Sequence, residues 1–260
     1  KHELFHEMGH MERITKFKGE TEALVNFPYV YIHNQGFEVD LDVAFSRSMG
    51  RGDNVSIERA AVDRMITENF RKGKPRNTTN RPGDEVKYQH RGYGHYGDMA
   101  KLFGWDPLLR FAAEDHENYR KGKGFPANVN DDPTDGRILR FCMATGYDLR
   151  PLFEFWGVYP EDESSLARAI KRNDLSPSPA VYERLKHYRT LIPMTASEFK
   201  KHALIMYPRC ENPGRTLMEM NTLFGHGFYH KWLSVYNDSH GEAAVTALDN
   251  IIAKHFPDAR

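Results

Sequence analysis

Long apolar runs are missing from this 260-residue chain, and none approaches the ~18–20 residues that a membrane-spanning helix needs. An excess of either charge is missing too. Lys plus Arg and Asp plus Glu both number 36, so the net charge is zero and no basic excess or stripe marks a nucleic-acid surface. Nucleic acid is therefore not expected as a partner. Cysteine is scarce. Cys142 and Cys210 fit either one disulfide or two buried thiols, and spacing alone leaves both open. Low-complexity stretches and internal repeats are absent, and strand patterning is slight. What remains is 40% hydrophobic and 28% charged, an ordinary balance for a chain long enough to bury its own core.

Helical patterning dominates. Residues 2–12 predict a helix, and Glu20–Asn34 a second, with Ala23, Leu24, Phe27 and Tyr31 at helical spacing and Pro28 as a kink or early end. Ile57–Phe70 predicts another, followed by a basic polar loop over Arg71–Pro82. Residues 96–120 divide into two helices at Gly104-Trp105-Asp106-Pro107, with Asp106 as N-cap. Further helices are expected over Asp135–Gly146, Leu149–Trp156, Glu163–Lys171 and Ala180–Tyr188, then Thr195–Tyr207, Thr216–Tyr236 and Gly241–Phe256. Ser176-Pro177-Ser178-Pro179 suggests a boundary near 178, dividing a part over 1–178 from a helical extension over 179–260. The fold class is mainly α.

Of the 13 histidines, those at metal-ligand spacing matter most. Residues four apart share a helix face, so both imidazoles of H-E-x-x-H can reach one zinc ion while the intervening Glu faces the water. The chain carries that pattern twice, overlapping: His2-Glu3-Leu4-Phe5-His6 and His6-Glu7-Met8-Gly9-His10. Positions eight apart lie roughly 12 Å apart along a helix, so the three histidines cannot share an ion. The second frame fits better. Gly9 permits close approach of a backbone or a substrate, and Glu22 follows His10 after eleven intervening residues, on the next predicted helix. Gluzincin zinc peptidases take their third ligand from such a Glu. Asn26, one turn on from Glu22, is placed to hydrogen-bond the outer nitrogen of a ligand histidine. Glu20 and Glu12 are alternatives for the third ligand. His2 and Glu3 read as helical neighbours, and a chance occurrence of the motif is the plainer alternative.

At these residues the chain resembles the enhancin-like (M-60) metallopeptidases, which include bacterial mucin and O-glycoprotein peptidases. The likeness rests on HEMGH at 6–10, GETEALVNFPYVYI at 19–32, LFGWDPLLRF at 102–111 and GYDLRPLFEFWGVYP at 146–160. It departs in the doubled HELFHEMGH and in 161–260. The resemblance implies a gluzincin (thermolysin-like) helical catalytic subdomain, with His6, His10 and Glu22 as zinc ligands and Glu7 as general base. It also implies a secreted or cell-surface enzyme and a glycoprotein or mucin-type O-glycopeptide substrate. The opening Lys1-His2-Glu3, already inside the motif, carries the expectation that a β-rich part lies upstream.

The expected chemistry is attack by water on a peptide carbonyl. Glu7 takes the proton and passes it to the leaving amine, beside a three-ligand zinc with one open position. An oxyanion donor is sought in the glycine-rich stretch 90–96, where Tyr93 and His95 are catalytic candidates, against a plainer reading as a packed aromatic loop. Arg47 and Arg51 are candidates for substrate contact, against solvated loop charges. Trp105, Trp156 and Trp232 read as core.

Overall fold

The computed structural model describes residues 2–11, 14, 16–17, 20–48, 55–76, 94–122, 134–212 and 226–258, with 2–3, 21–22 and 226–228 described as backbone only. Among them every regular element is a helix, and the sole β pairing is an isolated parallel bridge between Asp148 and Pro177. No described helix is long and apolar enough to cross a membrane.

Local chemistry explains most helix ends. Helix α1 spans His2–Met11, α2 Thr21–Leu24, α3 Phe27–Tyr31 and α4 Leu41–Ser48. Ser56 caps α5 (Ile57–Met65) by accepting from the Arg59 N–H, and Thr67 caps α6 (Glu68–Arg71) through Phe70. After α7 (Gly94–Phe103), the Gly-Trp step leads into α8 (Asp106–Arg120). The N-cap there is Trp105 rather than Asp106, one residue earlier than expected, with Pro107 in the first turn. Gly146 and Gly157, at φ of 76° and 80°, stop α9 (Thr134–Thr145) and α10 (Arg150–Phe155). Asp162 caps α11 (Glu163–Arg172), and Ser178 caps α12 (Pro179–Thr190). Thr195 and Glu198 form a reciprocal capping box on α13 (Ala196–Met206). Helices α14 (His226–Val235) and α15 (Asp238–His255) close the fold.

One expected helix is three pieces. The stretch Glu20–Asn34 holds α2, a turn at Val25-Asn26, α3, and then a wider π turn over Ile32–Gly36. Pro28 lies in the first turn of α3, where its missing N–H is harmless. It therefore starts a helix rather than kinking one.

The stretch beyond 178 shares its core with what precedes it. Phe155 stacks on Tyr188, and α15 packs on α6, α10 and α12. Buried carboxylates join the two stretches. Asp98 accepts from Tyr188 Oη (2.7 and 2.8 Å), Trp156 Nε1 (2.8 Å) and Arg184 Nε (3.0 Å). Asp63 faces His202 at 2.8 Å and accepts from the Tyr229 hydroxyl. Burying a carboxylate is tolerable only with such partners. Trp105, Trp156 and Trp232 are all buried, and Cys142 and Cys210 are buried thiols rather than a disulfide. Burial pushes the Cys142 thiol up to about 12, which leaves it unreactive.

Candidate metal centre

Helix α1 places His6 and His10 one turn apart, with ring centroids 5.0 Å apart and planes at 84°. Two imidazoles bound to one zinc at about 2.1 Å and a tetrahedral angle would have centroids roughly 5 Å apart. The pair fits. His10 and Glu7 are exposed and His6 half-buried, so this helix face is open to solvent.

Gly9 is turned the other way, and a Cβ there would lie 2.1 Å from the Val25 carbonyl oxygen. Only glycine lets α1 touch the backbone of the next element this closely. That contact also brings Asn26 to His6, with Asn26 Oδ1 2.9 Å from His6 Nδ1. The Asn26 amide nitrogen donates to the Ala23 carbonyl (3.4 Å), which fixes Oδ1 as the atom facing the ring. Since Oδ1 only accepts, His6 Nδ1 carries the proton and the lone pair lies on Nε2, the nitrogen a metal would take.

Glu22 belongs to α2, one turn before Asn26, but its side chain lies outside the described residues. Glu12 lies outside them as well. Among the described residues no three His, Cys, Asp or Glu side chains cluster at metal-binding distance. Glu20 is described, so it is not grouped with His6 and His10 as a third ligand.

The enhancin and enhancin-like family, Peptidase M60, matches residues 3–157, more than half of the chain. The chain belongs to that family. Membership places this M60 chain among the metallopeptidases, hydrolases that act on protein substrates. No curated protein and no solved structure matches it.

Glu20 serves a different purpose in this M60 chain. Fully buried, its carboxylate accepts from the Phe17 N–H (3.0 Å), Arg76 Nη2 (2.7 Å) and Tyr96 Oη (2.7 Å). His95 Nε2 lies 3.1 Å away, out of line for a full hydrogen bond. Arg76 Nη1 approaches His95 Nδ1 at 3.5 Å. A guanidinium only donates, so Nδ1 accepts and the ring proton sits on Nε2, towards Glu20. Beyond Tyr96, Arg137 donates to the phenol oxygen at 2.7 Å and lies over the rings of Phe17 and Phe111. Burial pushes the Glu20 carboxyl up. His95, Arg76 and Arg137 outweigh that and hold it down at about 2. Burial dominates at His95 and lowers it to about 4 despite Glu20. At neutral pH His95 is thus uncharged, and the cations that keep Glu20 ionised are Arg76 and Arg137.

One expected role does not survive. His95 is no exposed oxyanion donor. Gly94, His95 and Tyr96 form the first turn of α7, not a loop, and the imidazole is fully buried against Glu20, Phe17 and Phe153. Arg76, in the stretch expected as a basic polar loop, has its side chain buried on Glu20 and its N–H donating to the Gly157 carbonyl (3.0 Å). Tyr93 and Arg51 lie outside the described residues. Arg47 ends α4 exposed, and its charge, after burial, helps lower the His33 imidazole pKa.

Proposed function

We propose that this chain is the metal-holding part of a zinc endopeptidase that hydrolyses peptide bonds in O-glycosylated, mucin-type proteins. A secreted or cell-surface location belongs to the same proposal and is drawn from the family resemblance. The observation that carries the metal reading is the His6–Asn26 hydrogen bond, made by one of two imidazoles whose spacing suits a shared ion. Zinc would be held by His6, His10 and Glu22, and when bound it supplies a Lewis acid and lowers the pKa of water at its open position.

The rest of the work falls to side chains of this chain. Asn26 fixes the His6 tautomer. Gly9 sets how closely α1 approaches the α2–α3 turn. Glu7 follows His6 directly and is exposed, as a base that must meet substrate has to be. Its carboxylate takes the proton of the attacking water and returns it to the leaving amine nitrogen. Arg47, exposed at the end of α4, remains a candidate for contact with the substrate's sugar or peptide carboxyl groups.

Cleavage of a mucin-type glycopeptide, compared with its deglycosylated form and read by mass spectrometry, tests the substrate class. Faster cleavage of the glycosylated peptide is expected, and equal rates would discard the glycan requirement. Glu7→Gln tests the base: turnover should vanish with zinc still bound, and retained wild-type activity would rule the mechanism out.

A further inference from the structure

We propose that Glu20 is a positioning residue for the Glu22 carboxylate, anchoring the start of α2 to α7 and α9 through Arg76 and Tyr96. The proposal rests on the zinc reading above. It starts from a weakness in α2, which has only four residues. One helical turn has no orientation of its own in water, because nucleation is unfavourable until further turns are added. Something outside α2 must aim Glu22.

Glu20 stands at the N-cap of α2, yet its side chain makes no capping bond. Its main-chain carbonyl starts the helix, accepting from the N–H groups of Ala23 and Leu24, both at 2.9 Å. Its carboxylate reaches away from α2 to Phe17, Arg76 and Tyr96. Tyr96 is in turn fastened to the fully buried Arg137 of α9. At the far end of α2, Val25 is pinned against Gly9 of the histidine-bearing helix. Glu22 is thus bracketed by two fixed points, Glu20 two residues before it and Val25 three after. Metal sites tolerate ligand displacements of about 0.2 Å, and loss of supporting partners typically costs ~10–100-fold in affinity. A carboxylate buried with this many donors is a costly way to hold a loop, and its place beside the ligand turn gives it a reason.

The test is zinc affinity by chelator competition on the wild-type chain, Glu20→Gln, Tyr96→Phe and Asp63→Asn, with circular dichroism and thermal melts of the zinc-free proteins. Asp63 is an equally buried carboxylate, bonded to His202 of α13 and Tyr229 of α14 rather than to the elements that hold Glu20. Folded Glu20→Gln and Tyr96→Phe should bind zinc ~10–100-fold more weakly. Asp63→Asn should melt lower and keep wild-type affinity. Wild-type zinc affinity in folded Tyr96→Phe and Glu20→Gln would overturn the proposal. If Glu20→Gln does not fold, Tyr96→Phe, which loses a single oxygen, decides alone. A wild-type chain that binds no zinc would sink the zinc reading and this proposal with it. Zinc binding in the wild type that every folded variant of this pair leaves unchanged would sink this proposal only.

Discussion

Adding one carbon at Gly9 should uncouple the two halves of the proposed metal site. In Gly9→Ala the new Cβ would lie 2.1 Å from the Val25 carbonyl oxygen and 2.8 Å from the Val25 carbonyl carbon and Cα. An ordinary carbon–oxygen contact is about 3.3 Å, so α1 and the α2–α3 turn must separate by roughly 1 Å. Both surfaces are backbone, so no side chain can swing aside to absorb it. Overpacking of this kind costs about 1–3 kcal/mol. The functional effect is sharper, because the imidazoles sit on one side of that contact and Glu22 on the other. A 1 Å displacement is about five times what metal coordination tolerates. Zinc affinity, measured by competition with a fluorescent chelator, should fall at least ~10-fold. Gly36→Ala is the control, since its Cβ would meet only Ile32 Cγ2 at 4.0 Å. A Gly9→Ala protein with wild-type zinc affinity and melting temperature would show that this backbone contact does not couple the histidines to α2.

Asn26→Ala should remove the Oδ1 acceptor from His6 Nδ1 and weaken zinc binding ~10–100-fold, measured by the same competition, with little loss of helix by circular dichroism. His95 predicts a pH dependence. Its folded-state pKa, about 4, lies below the 6.5 of a free imidazole, so the unfolded chain binds more protons in between. The contribution is fully present above pH 6.5 and is lost as pH falls towards 4, by on the order of 3 kcal/mol in all. Glu20, held at about 2, adds a loss only below its ordinary 4.5. Urea unfolding at pH 7 and pH 5 should therefore show a larger drop for the wild type than for His95→Gln, and equal slopes would contradict the buried, neutral imidazole.

Much of the helical frame was legible because its boundaries are local chemistry. The Thr195–Glu198 capping box and the stops at Gly146 and Gly157 depend on residues a few positions apart. The Asn26–His6 bond was legible as well, since one turn of spacing from Glu22 places the amide towards the histidines. The turn at Val25-Asn26 was not. No glycine or proline interrupts the pattern there, and Pro28 looks the same whether it kinks a helix or begins one. Least visible was the Glu20 cluster. Its partners lie 56 and 76 residues away, so nothing local separated a buried structural role for Glu20 from its reading as an alternative metal ligand. The union of 179–255 with the earlier core was hidden for the same reason, since the Asp63–His202 contact spans 139 residues and leaves no local pattern.

On the proposed reading, His6, His10 and Glu22 converge on one ion. Zinc K-edge X-ray absorption on the loaded chain measures that directly. The prediction is about one zinc per chain, with two imidazole nitrogens and one carboxylate oxygen at roughly 2.0–2.2 Å, the carboxylate signal lost in Glu22→Ala. Three imidazoles around the metal, or a spectrum that Glu22→Ala leaves unchanged, would contradict it.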